Sequence, residues 1–214
     1  MPNSKVDART LTGVSETTLW TLYCRAHEAS RSAPLIDDPL AVQLMDQIDY
    51  DFRKFEQVGI PKSLQKALRP TTQHFAVRAL SFDRVIQDFL RKHPHGTVVA
   101  LAEGLQTTFW RINSPTVRWI SLDLPAVISL RKRLLPPSPQ ITHLTASALV
   151  ASWHQHLDPQ TPILITAEGL DSATTIPYAQ GRGFRGKMQT VLPKYPVLSH
   201  LTASITLLQF RPTP

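Results

Sequence analysis

The chain has one cysteine, Cys24, in 214 residues, which excludes an internal disulfide and fits a reducing compartment. Histidine is sparse and scattered, and no Cys/His grouping has zinc-ligand spacing. No apolar run reaches the roughly 18 residues that a membrane-spanning helix needs. The opening MPNSKVDART lacks the apolar stretch of a secretory signal, so a cytoplasmic protein is expected. Acidic residues are fewer than basic ones, 16 against 23, for a formal charge of +7. That excess does not form a nucleic-acid surface spread along the chain. Residues 171–214 carry Arg182, Arg185, Lys187, Lys194 and Arg211 against Asp171 alone, a net of +4, with Phe184, Tyr195 and Phe210 among the few nearby stacking aromatics. A solvated basic tail is the expectation, and a nucleic-acid partner is the weakest of the readings.

What is present is an ordinary globular composition, long enough for one domain with a sizeable core. The chain is organised around residues 97–123. Thr97 to Leu101 is a short, apolar, β-branched-rich run entered through the breaker pair His95-Gly96, which predicts a buried strand. Glu103-Gly104 follows as a turn, and a second apolar run, Val117 to Leu122, ends in Asp123. In nucleotide-binding α/β folds the turn after the first strand lets a cofactor approach the backbone, and an acid closing the second strand accepts from ribose hydroxyls. The same spacing also suits a plain α/β crossover in which the aspartate caps the next helix.

Elsewhere the pattern alternates helix and strand. Residues 1–14 read as an unstructured lead-in, and Ser15 is placed to cap a helix bearing Leu19, Leu22, Tyr23 and Ala26 on one face. Asp38-Pro39 is a strong helix start. Tyr50 to Pro70 is mixed and uninformative. Thr71 to Lys92 is the best amphipathic helix, stopped by His93-Pro94. Leu124-Pro125 opens a helix whose last turn holds Arg131, Lys132 and Arg133, where cations suit the dipole. Gln140 to Ala146 and Pro162 to Ala167 read as the third and fourth strands.

The wording of four segments adds more. VVALAEGLQTTFWR, VRWISLDLPAVISLRKRLLP, ASALVASW and PILITAEGL together resemble the S-adenosylmethionine-dependent methyltransferases of the leucine carboxyl methyltransferase family, from about Arg25 to Leu170. The resemblance implies an α/β, Rossmann-like class I methyltransferase sheet preceded by an N-terminal helical region, with S-adenosyl-L-methionine as cofactor. Three parts are expected: residues 1–94 capping the active site, 95–170 binding the cofactor, and 171–214 as a divergent tail with one makeshift strand over 201–210.

The resemblance also implies site residues. Arg78 matches the arginine that pairs with the cofactor's methionine carboxylate. Ala102, Glu103 and Gly104 form the turn, with Ala102 standing where relatives carry the first glycine. Asp123 and Leu124 lie at the ribose, Ala148 and Leu149 near the adenine, and Glu168 faces Gly104 across the cofactor. Val150 replaces an aspartate of relatives, and Gln106 and Thr108 replace an acid and a base. Arg25 and Glu28, in the segment RAHE, are placed near the substrate entrance; a surface Arg–Glu pair is the plainer reading. Catalytic residues and metal ligands are not assigned.

Beyond Leu170 the family wording stops, and the tail suggests a truncated or frameshifted relative whose fourth strand is either left as a bare edge open to self-association or covered by Leu201 to Phe210 as a makeshift strand. The expected activity is O-methyl transfer to a carboxylate or hydroxyl of a small-molecule acceptor. The alternative is a non-catalytic remnant with weak or no cofactor binding.

Overall fold

The computed structural model describes residues 5–9, 11, 13–56, 68–149, 151–158, 160–168, 188–189 and 206–210. Its centre is a six-stranded sheet. Four of its strands are parallel, β3 (Thr97–Leu101), β4 (Arg118–Asp123), β5 (Ile141–Thr145) and β6 (Ile163–Ala167), in the order β5-β4-β3-β6. The chain steps outward from β3 to β5, then returns to the other side of β3. This is the doubly wound α/β arrangement, which opens a crevice at the carboxyl ends of the strands where the direction reverses. The register decides what meets there. Leu101 sits level with both Leu122 and Ala167, so Ala102, Asp123 and Glu168 leave the sheet along one edge.

β3 and β6 are buried at every position, as expected of strands covered on both faces. On one face, Phe82, Ile86, Phe89 and Leu90 of α4 (Leu68–Lys92) pack on Val98, Ala100, Trp119 and Leu164. On the other, Val99, Leu101, Ile120, Leu122 and Ile165 meet Ala148 and Trp153. A third cluster joins α1 (Thr17–Ala29) and α2 (Pro39–Gln47) to α6 (Pro125–Leu134) through Leu19, Leu22, Leu44, Leu105, Leu130 and Leu134. A four-residue helix, α3 (Arg53–Glu56), and α5 (Thr108–Ile112) complete the helices among the described residues.

Several expectations are met in place. Asp38 caps α2, accepting from Ala41 N at 3.1 Å, with Pro39 at the first helical position. α4 begins three residues earlier than its periodicity predicts and ends at Lys92. Others are corrected. Ser15 caps nothing, because a 3-10 turn over Gly13–Glu16 runs straight into α1 and leaves helical dihedrals at the cap position. The lead-in is not structureless: β1 (Val6–Asp7) pairs in parallel with β2 (Ile48–Asp49), and Ala8 and Leu11 are buried. The fourth strand is not a bare edge either. β8 (Thr206–Phe210) pairs antiparallel along all of β6, and β7 (Met188–Gln189) pairs with β8, so the basis for self-association through β6 is removed. The basic residues Arg182, Arg185, Lys187, Lys194 and Arg211, most of the 50–70 region, and Val150 lie outside the described residues.

β5 forms the other border of the sheet and gives a pH dependence. His143 Nδ1 is buried without a hydrogen-bond partner among the described residues, and desolvation, helped by Arg131 and Lys132, holds the imidazole down to about 4. A folded-state value below the unfolded one means that the unfolded chain binds the extra proton first. Stability is therefore lost as pH falls from about 6.5 toward 4. His143→Asn should flatten that part of the melting-temperature profile; a profile parallel to the parent's would show that His143 titrates as it does when unfolded.

Candidate active site

The crevice above β3, β4 and β6 holds a cleft of about 290 Å³. Seven of the residues singled out from the sequence line it: Arg78, Ala102, Glu103, Gly104, Asp123, Leu124 and Glu168. They arrive from three strand ends and from α4, which is why the register of the sheet controls the site.

The turn after β3 keeps its shape despite lacking the first glycine. Ala102 has φ of 50° and Gly104 has φ of 59°. A non-glycine residue in the left-handed region carries strain of about 1–2 kcal/mol. Ala102→Gly is expected to raise unfolding free energy by about 0.5–1 kcal/mol, the relief being partly offset by the freer unfolded chain. Denaturant titration checks this, and an unchanged or lowered midpoint would mean that the turn is not strained at Ala102. At Gly104 a Cβ would also stand 3.0 Å from Thr18 Oγ1, so Gly104→Ala should lose about 1–2 kcal/mol in the same titration.

Asp123 anchors this turn. Its Oδ2 accepts from Gly104 N at 2.7 Å and its Oδ1 from Leu124 N at 2.7 Å. Burial raises its pKa above the ordinary carboxylate value, while those two N–H groups pull it back. It is not the cap of α6, whose N-cap residue is Leu124. Each carboxylate oxygen accepts more than one hydrogen bond, so both retain capacity toward the cleft.

Arg78 and Glu168 form the charged end. Arg78 Nε donates to Glu168 Oε1 at 2.6 Å, and the guanidinium lies 4.6 Å from the Phe75 ring centroid. Nε and the stacked face fix the plane of the fork, and the two terminal nitrogens are the edge suited to a carboxylate. Glu103 lines the cleft, but its carboxylate is engaged: it accepts from Trp119 Nε1 at 3.1 Å and touches Arg131 Nη2 at 2.8 Å, off the line of a hydrogen bond. Burial raises its pKa, opposed by Arg131.

Four sequence expectations are not met. Arg25 is fully buried, donating to Asp38 at 3.2 Å, Leu105 O at 2.7 Å and Thr21 O at 3.2 Å, and it does not line the cleft. Glu28 is buried too, pairing with Arg31 at 3.2 Å and accepting from Leu35 N at 3.3 Å. Neither lines the cleft, nor do they form a surface pair: the face of α1 that carries them packs inward under α2 and α4. Ala148 is in the core under β5, and Leu149 is 49% exposed; neither lines the cleft.

The structure adds residues that local pattern could not supply. Ser15, Thr17, Thr18, Trp20 and Thr21, from the start of α1, and Phe75 from α4 close the other wall. Trp20 stands edge-on to Phe75 at 6.4 Å and to Phe55 at 5.1 Å. Gln106 lines the cleft and a small cavity of about 20 Å³ behind it, and its buried Oε1 has no partner among the described residues. Among the described residues, no three metal-ligating side chains gather, and no helix is long and apolar enough to cross a membrane.

The sequence model described as leucine carboxyl methyltransferase matches residues 18–170. The tetracenomycin polyketide synthesis O-methyltransferase TcmP of Streptomyces glaucescens is 37% identical over 161 residues, covering 75% of this chain and 56% of that protein. The S-adenosyl-L-methionine-dependent methyltransferase dpfgK of Gibberella zeae is 30% identical over 135 residues, covering 61% of this chain and 44% of that one. The chain thus spans about half the length of these relatives. Among solved structures, human N-acetylserotonin methyltransferase in complex with SAM superposes with a TM-score of 0.38 at 14% identity, covering 74% of this chain and 62% of that chain.

Proposed function

The chain belongs to the leucine carboxyl methyltransferase family, and from that premise we propose that it is a cytoplasmic S-adenosyl-L-methionine-dependent O-methyltransferase acting on a carboxylate or hydroxyl of a small molecule. The observation that carries the reading is the meeting of Arg78, the positive-φ turn Ala102–Gly104, Asp123 and Glu168 in one cleft at the carboxyl ends of β3, β4 and β6.

The residues present fit the cofactor. Arg78 would hold its carboxylate, Glu168 its ammonium, Asp123 the ribose hydroxyls, and the turn would let it lie close to the backbone. The cofactor supplies an activated methyl group. What remains for the protein is to orient an acceptor oxygen and to exclude water, which is positioning rather than acid–base work. A carboxylate acceptor needs no base. A hydroxyl acceptor must lose a proton, and Glu168 is the acid on the open side of the turn. The lone thiol plays no part in this chemistry: burial pushes Cys24 up to about 12.

The second reading, a non-catalytic relative, is favoured by the strained Ala102 and by the prior pairing of Arg78 with Glu168. Calorimetric titration with S-adenosylhomocysteine separates the two. The expected result is micromolar binding, weakened about tenfold by Asp123→Ala through loss of the ribose contacts. No heat from a folded, monodisperse sample would leave the non-catalytic reading.

A further inference from the structure

The turn is short of glycine, and the structure supplies its rigidity from elsewhere. Three consecutive carbonyls, of Gly104, Leu105 and Gln106, are each taken by a buried guanidinium. Arg131 Nη1 donates to Gly104 O at 2.5 Å and to Gln106 O at 3.3 Å, from α6 on one side. Arg25 Nη2 donates to Leu105 O at 2.7 Å, from α1 on the other. Arg25 and Arg131 are both fully buried, and neither reaches the cleft.

Such placement is costly for a cation. Burial lowers the pKa of both, opposed by Asp38 for Arg25 and by Glu103 for Arg131. Their acids tie into the same turn. Glu103 is a turn residue itself, and Asp38 accepts from Thr107 Oγ1 at 2.7 Å, the next residue along. On the inner side, the amide of Gly104 donates to Asp123 and the amide of Gln106 to Glu103 O. From residue 104 to 107 the backbone is therefore fixed from below and from both flanks.

We propose that Arg25 and Arg131 are positioning residues for cofactor binding: a two-sided clamp that draws the turn's carbonyls away from the cleft and holds the left-handed dihedrals at Ala102 and Gly104 before the cofactor arrives. The inference rests on the methyltransferase reading for its purpose, though not for its geometry. A flexible turn would have to be ordered on binding, at the expense of affinity. Arg131 holds α6 to the turn and Arg25 holds α1, so the two helices beside the cleft are coupled through it.

Amide hydrogen exchange on the cofactor-free protein is the test. In the parent chain the amides of Gly104 and Gln106 should be protected about as strongly as those of β3, although they lie in a turn beside an open cleft. Exchange typical of a solvent-exposed loop would overturn the proposal without any variant. Arg131→Lys keeps the charge, but one ammonium cannot stand both beside Glu103, where Nη2 lies, and between the two carbonyls to which Nη1 donates. It should speed exchange in 102–108 about tenfold while leaving β3, β4 and β6 unchanged, and weaken S-adenosylhomocysteine by a similar factor. Exchange unchanged in 102–108, or faster by the same factor throughout the sheet, would reduce the arginine to general support of the fold. Arg25→Lys reads the same effect through Leu105. Should the parent bind no S-adenosylhomocysteine, the methyltransferase reading fails while the exchange measurements still decide the clamp.

Discussion

Asp38→Ala is expected to lower the free energy of unfolding by about 3–5 kcal/mol, a large share of the total for a domain of this size. Asp38 is 1% exposed and is the hub of a buried network. Its oxygens accept from Arg25 Nε at 3.2 Å, Arg111 Nη1 at 2.9 Å, Thr107 Oγ1 at 2.7 Å and Ala41 N at 3.1 Å. Arg111 keeps a second partner, Asp83 at 2.8 Å, but Arg25 has no other carboxylate within contact among the described residues. The substitution therefore leaves an uncompensated guanidinium in the core, uncaps α2 and frees Thr107. Asp38→Asn keeps a cap acceptor and the volume, so its loss should be smaller. Denaturant unfolding of the two variants measures the difference, and equal losses would mean that the charge, not the cap, is what matters.

Arg78→Met is expected to weaken S-adenosylhomocysteine by about 30- to 150-fold, equivalent to about 2–3 kcal/mol. The loss is larger than that of Asp123→Ala because a planar fork facing a carboxylate is removed and Glu168 loses its present partner at 2.6 Å. Methionine retains the apolar packing on Phe75. Glu168→Gln on the Arg78→Met background should lose further affinity, because the acid that would hold the ammonium is neutralised. Undiminished affinity in Arg78→Met would place the carboxylate away from α4, and a double variant no weaker than Arg78→Met would show that Glu168 does not hold the ammonium.

How much of this was legible depends on the kind of signal. β3 was readable to the residue because a strand covered on both faces is a short, continuous apolar run, and β4 and β6 were readable to within one residue at their ends for the same reason. The α2 cap was readable because aspartate before proline is local chemistry. Arg25, Glu28 and Arg131 were not. A helix pattern tells which apolar residues face the core, whereas a polar residue that turns inward looks in sequence like one on the solvent face. Arg131 was assigned to the dipole of its helix end, yet it reaches from α6 to the carbonyls of Gly104 and Gln106.

The sequence by itself determined the four parallel strands of the sheet, the turn between Leu101 and Leu105, and the residue types at the strand ends, because hydrophobic periodicity and breaker residues act over a few positions. Only the tertiary structure decided what those residues face. The parallel register sets Ala102, Asp123 and Glu168 along one edge. The packing of α1 over that edge brings Thr18 and Trp20 to the cleft and buries Arg25 beneath the turn. β8, about forty residues after β6, closes the side of the sheet that would otherwise stand open. These contacts join segments far apart in the chain, and side-chain direction there is settled by the packing of whole helices and strands, which no local spacing encodes.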